Sequence, residues 1–243
     1  MYVVLKRTFL GGNLNKAFTL AEILITLGII GVVAAITMPA LITNYQKQVT
    51  VSQLKKSYSV LNQALQKSIQ ENGDLSNWES IDGEPEVKYL LPYLKVVDFK
   101  KDRWNIRKTG YEIMKSNGDG TSQFWTSGLS KGPYMLSDGT ILIFMNFLNY
   151  SPMYNALYIL VDLNGFKGPN RIGRDIFVFT LSKAKPNIIS SSGDNKTVDE
   201  ILKGKNLCAA KGEISGYQGY VGMGCSTIII KDGWKIEKHY PWW

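Results

Sequence analysis

Histidine occurs once in the 243 residues and cysteine twice, and these two scarcities remove several kinds of chemistry together. A structural zinc site draws on four ligands, and His239 cannot complete one with Cys208 and Cys225. His239 is also the one conventional neutral-pH base. It stands in a Lys-His-Tyr-Pro context near the tail, which suits a surface residue better than a general base. A phosphate-binding Gly-x-x-x-x-Gly-Lys-[Ser/Thr] loop is missing, as is a zinc-protease motif. Catalysis therefore has no support, and the chain reads as a non-enzyme.

Charge is missing from one long stretch. Phe18 to Ile36 contains Glu22 as its single charged residue, and the apolar character continues through Met38, Ala40, Leu41 and Ile42. A helix of about 20–25 such residues crosses a hydrocarbon core about 30 Å thick. Lys6, Arg7 and Lys16 precede it, which places that side in the cytoplasm and exports everything after about Asn44. The segment reads as a plain anchor, as a signal peptide cut after Val33-Ala34-Ala35, or as something that must account for Glu22. A carboxylate inside an apolar stretch costs about 2.5–3.5 kcal/mol on insertion scales. The positive end of the helix dipole recovers part of that if the helix begins near Phe18. A partner charge from another chain accounts for it better.

Lys16-Ala17-Phe18-Thr19-Leu20-Ala21-Glu22, followed by the apolar run with Pro39 near its end, resembles the N-terminal signature of type IV prepilins and type II secretion pseudopilins. The resemblance implies that a prepilin peptidase cuts between Ala17 and Phe18 and that the same enzyme, acting as an N-methyltransferase, modifies Phe18. It implies that Glu22 meets the free amino terminus of a neighbouring subunit. The family usually carries glycine before the cut, where this chain has Ala17, which keeps the small size. Gly28, Gly31 and Pro39 weaken the helix locally. They serve close helix packing in lipid or, as the resemblance implies, a stretch that loosens on assembly. The partners it implies are other pilin or pseudopilin subunits and an inner-membrane assembly platform driven by a separate cytoplasmic ATPase.

From Asn44 to Asn72 the apolar residues Val51, Leu54, Tyr58, Leu61, Leu65 and Ile69 recur every three or four positions, and Asn72-Gly73 follows. This predicts an amphipathic helix continuing the membrane helix. A short helical piece is predicted from Val87 to Leu94, interrupted by Pro92. Strand signals then dominate: a hairpin of Tyr134–Leu136 and Thr140–Met145 about Ser137-Asp138-Gly139, runs at Leu157–Val161 and Ile176–Leu181, and a strand at Ser226–Ile230. The expected fold is α+β, pilin-like, with the helix stripe covered by one apolar face of an antiparallel sheet. The expected divisions are a leader at 1–17, a transmembrane and assembly helix at 18–42, an amphipathic helix at 43–73 and an extracytoplasmic domain at 74–243.

Three further features carry expectations. Asp162, Asn164 and Asp175 place oxygens as a calcium loop does, and some pseudopilins are similar in holding calcium there; no acid stands at the twelfth position from Asp162, and a capped Asn-Gly turn explains the same residues. Calcium is a secondary expectation, and no other cofactor is expected. Cys208 and Cys225 pair as a disulfide if exported, or stay as two unpaired structural cysteines. Tyr240-Pro241-Trp242-Trp243 either forms an interaction surface or tucks against the sheet, the second being preferred. The net charge of +8 suits an ordinary surface, with membrane lipid or nucleic acid as possible anionic partners. The expected function is a filament subunit of a type IV pilus or type II secretion pseudopilus in the inner membrane. The alternative is a minor pilin that binds DNA or surfaces.

Overall fold

The computed structural model of the chain describes residues 18–78, 84–99, 112–113, 130–148, 156–204, 207–208 and 222–243. They divide into two units, one ending at Asn44 and one comprising Tyr45–Trp243, and each is described by itself.

The first unit is the leading part of helix α1 (Leu20–Asn72). It is apolar on every side, which is the pattern of a helix surrounded by lipid or by other helices. Pro39 lies inside the helix, where its missing N–H deprives the Ala35 carbonyl of a helical partner. Thr43 Oγ1 donates to the Pro39 carbonyl at 2.8 Å, and Thr37 Oγ1 to Val33 at 2.9 Å.

In the second unit α1 becomes one-sided, burying Leu54, Ser57, Leu61, Ala64, Leu65 and Ser68. Each buried leucine contributes about 2 kcal/mol. The helix stops at Gly73, whose φ of +75° favours glycine. A 3-10 turn (Leu75–Asn77), the short helix α2 (Pro85–Tyr89) and a second 3-10 turn (Leu91–Tyr93) follow. Pro92 thus divides the predicted helical piece in two.

Six strands then form one antiparallel meander in chain order: β1 (Val96–Phe99), β2 (Ser130–Leu136), β3 (Ile141–Asn146), β4 (Ala156–Asp162), β5 (Ile176–Ser182) and β6 (Lys185–Ser191). Cross-strand rows Leu142–Val161–Phe177 and Phe144–Ile159–Phe179 face α1. Tyr58 meets Phe179 with ring centroids 5.4 Å apart. Asn62 Oδ1 accepts from Ile189 N, Gln66 Nε2 donates to Asn187 O, and Lys56 pairs with Asp138 at the β2–β3 turn.

Two expectations need correction. The sheet was expected to have one apolar face, yet Ile141, Ile143, Met145, Leu160 and Val178 form a second core with Ile113, Ile172 and Met223 on the opposite side. A strand buried on both faces reads as an unbroken apolar run, as Ile141–Met145 does. The predicted strand at Ser226–Ile230 is instead helix α4 (Cys225–Lys231), after helix α3 (Val198–Lys203). β-Branched residues favour strands, but tertiary contacts override that preference here. Helical spacing brings Cys225, Ile228 and Ile229 into the core, while Ser226 Oγ donates to Val178 O and Thr227 Oγ1 to Ser192 O.

Candidate membrane and assembly interface

The start of α1 is built by Thr19 and Glu22. Thr19 Oγ1 accepts from Glu22 N at 3.2 Å, and Glu22 Oε2 accepts from both Thr19 N and Thr19 Oγ1 at 2.9 Å. This reciprocal arrangement is a capping box, which satisfies amide hydrogens that a helix start otherwise leaves unpaired. Sequence reasoning singled out Glu22 but missed Thr19, although the Thr-x-x-Glu spacing was there to be read. Glu22 thus has a local reason to be present. Among the described residues no cation ion-pairs with it. Ala17 and the rest of the leader lie outside the described residues; Phe18 is 83% exposed.

From Leu20 to Leu41 the large apolar side chains point outward. Leu20, Leu24, Ile29, Ile36 and Leu41 are between 60% and 76% exposed. This is the one helix among the described residues that is long and apolar enough to cross a membrane. Among the described residues these side chains are left exposed, an apolar surface of the kind that lipid or other chains cover.

Asp162, Asn164 and Asp175 are brought together at the ends of the β4–β5 connection. Asp162 Oδ1 accepts from Asn164 N at 3.0 Å and Gly165 N at 3.2 Å. Asp175 accepts from Asn164 Nδ2, Asn170 N and Arg171 N. These oxygens face hydrogen donors, and the Asn164 Oδ1 oxygen, buried without a partner, supplies too little for an ion that takes six to eight oxygens. Among the described residues no group of three or more His, Cys, Asp or Glu could hold a metal. The donor set fits a hydrogen-bonded turn and does not fit calcium. Burial is the largest influence on the Asp175 carboxyl and raises its pKa.

Cys208 and Cys225 form a disulfide that fixes the start of α4. The segment between them lies almost wholly outside the described residues. The C-terminal tail tucks in: Tyr240 is buried, and Trp242 and Trp243 pack against the core. Arg171 lies over the Trp242 ring at 5.3 Å and Arg174 over Trp243 at 5.7 Å. His239 is exposed and within 2.7 Å of Asp232 Oδ2.

A capped, outward-facing apolar helix at the N-terminus, followed by a disulfide-bearing sheet domain, defines a class. Residues 12–38 match the prokaryotic N-terminal methylation motif, and the N-terminal segment is of the type IV prepilin and pseudopilin kind. Residues 40–243 match a family of unknown function (DUF6613), and the chain belongs to that family. Comparison with curated proteins and with solved structures gives no match.

Proposed function

We propose that this protein is a structural subunit assembled into a type IV pilus or a type II secretion pseudopilus. The observation that carries this reading is the exposed apolar segment whose one charge, Glu22, has no cation partner among the described residues. In the proposal residues 1–17 are a leader, held with its positive charges in the cytoplasm. A prepilin peptidase cuts between Ala17 and Phe18 and methylates the new terminus. Residues 18–42 hold the subunit in the inner membrane until assembly, and the domain from Tyr45 onward lies outside the cytoplasm, where its disulfide persists.

Cleavage at that bond places the new amino group one residue before the helix cap. Glu22 then sits near its own helix start and can meet the amino terminus of an adjacent subunit. In a low dielectric such a pair is strong, although desolvation takes back much of the gain. The Pro39 break would let the packed helix adjust. The chain would do no chemistry, and assembly energy would come from a platform with its own ATPase. Glu22→Ala tests the reading: membrane insertion should persist while incorporation into filaments falls at least about tenfold, the loss of roughly 1.4 kcal/mol. Unchanged incorporation removes the assigned role.

A further inference from the structure

Antiparallel neighbours are usually joined by two to five residues, and longer loops tend to carry function. β4 and β5 are joined by thirteen, residues 163–175. Asp162 and Asp175 fold the ends of this connection through the backbone amides described above. Between them, positions 163–174 hold Lys167, Arg171 and Arg174 and no Asp or Glu. At the loop's outer part Phe166 is 53% exposed, with Lys167 beside it exposed as well. Arg174 lies over the Trp243 ring and makes no ion pair among the described residues. An open slot of about 230 Å³ separates Arg174 and Trp243 from Tyr45 and Gln46 of α1. That is room for a headgroup-sized molecule rather than for a folded partner.

Chain length locates this surface. Three peptide units separate Ile42 from Tyr45, a reach of at most about 11 Å even when fully extended. If the apolar segment spans a bilayer, Tyr45 and the slot it lines lie within reach of the headgroup layer, whatever the direction of the chain there. Exposed aromatic rings beside cations are the side chains that settle at such a boundary. We propose that the 163–174 loop, with Tyr45 and Trp243, is a foot that rests on anionic lipid headgroups of the membrane holding the apolar segment. This rests on the membrane reading above. Anionic headgroups supply the opposite charge for Lys167 and Arg174, each worth about fivefold in affinity near such a surface.

The test uses the full chain in nanodiscs of phosphatidylcholine, with or without phosphatidylglycerol. A nitroxide is attached through Gly168→Cys, where an added side chain meets nothing within 4 Å, and is read against a nickel-chelating lipid. A second label through Ile29→Cys reports insertion. The expected result is an inserted chain whose loop label contacts the headgroup layer in phosphatidylglycerol discs. Lys167→Gln, at an exposed position, should weaken that contact about fivefold, and adding Arg174→Gln about fivefold more. Free glycerol phosphate should leave it unchanged, and competition by it would overturn the lipid surface in favour of a phosphate site. A loop label that stays aqueous in an inserted chain overturns the foot alone. A chain that fails to insert overturns the membrane reading and the foot with it.

Discussion

Tyr240 donates its phenolic hydrogen to the carbonyl oxygen of Gly173 at 2.5 Å, with both groups buried. The bond ties the C-terminal tail to the β4–β5 connection, and burial pushes the Tyr240 phenol well above its usual pKa. Gly173 has a φ of +87°, and a Cβ there would lie 2.6 Å from Trp242 Nε1 and 2.7 Å from Cys225 Sγ. Tail, connection and α4 therefore meet at one backbone position. Tyr240→Phe keeps the ring and leaves that carbonyl unpaired, so unfolding in urea should show a loss of about 1–2 kcal/mol. A midpoint equal to that of the parent chain would mean the bond contributes nothing.

Glu86 gives the fold a pH dependence. It is fully buried, its Oε2 has no partner, and Tyr134 approaches Oε1 at 3.5 Å. Desolvation chiefly raises its pKa to about 7, with the Glu84 charge adding to the rise and Lys131 opposing it. Lys131 itself pairs with Glu84 at 2.9 Å. An acid with a raised folded pKa stabilises the fold most when protonated. Stability is full below the unfolded value near 4.5 and falls as pH rises toward about 7. The loss over that window is about 3 kcal/mol at most. Denaturant titrations at pH 5 and pH 8 should show the fall in the parent and a much flatter response in Glu86→Gln. Equal slopes would contradict the assignment.

The disulfide should matter for stability and not for the sheet itself. Cys208 and Cys225 are 17 residues apart, and closing a loop of that size contributes about 3 kcal/mol in the chain-entropy model. Replacing both cysteines with serine should lower the urea midpoint accordingly while the far-ultraviolet dichroism of the folded protein stays close to the parent's. A midpoint unchanged by the double replacement would show that the crosslink does not constrain the unfolded chain.

What the sequence displayed, and what it hid, follows from the range of the forces involved. The α1 stripe was legible because Leu54, Leu61 and Leu65 repeat with the helical period, and Gly73 marks the stop. The hairpin about Asp138-Gly139 was legible from turn chemistry. The double burial of the sheet was signalled by the unbroken run Ile141–Met145 and went unread, because a short apolar run of that kind suits a buried helix segment equally well. α4 was misread because Ser226–Ile230 carries strand-forming residues, whereas its helical state is held by distant groups: Cys208, Val178 and Ser192. β1, β6 and α3 were missed, although the Thr197–Glu200 capping box has the same local signal as the Thr19–Glu22 box. At the candidate interface Glu22 stood out as the lone charge in an apolar run. The association of Arg174, Trp243 and Tyr45 joins residues far apart in the chain, which no local pattern reveals.

Intact-mass analysis of the native protein purified from membranes reads the processing of the N-terminal segment. The expected result is a chain that begins at Phe18 and carries one methyl group on its amino terminus. A chain that retains residues 1–17, or one that begins at Ile36 after cleavage by an ordinary signal peptidase, would contradict it.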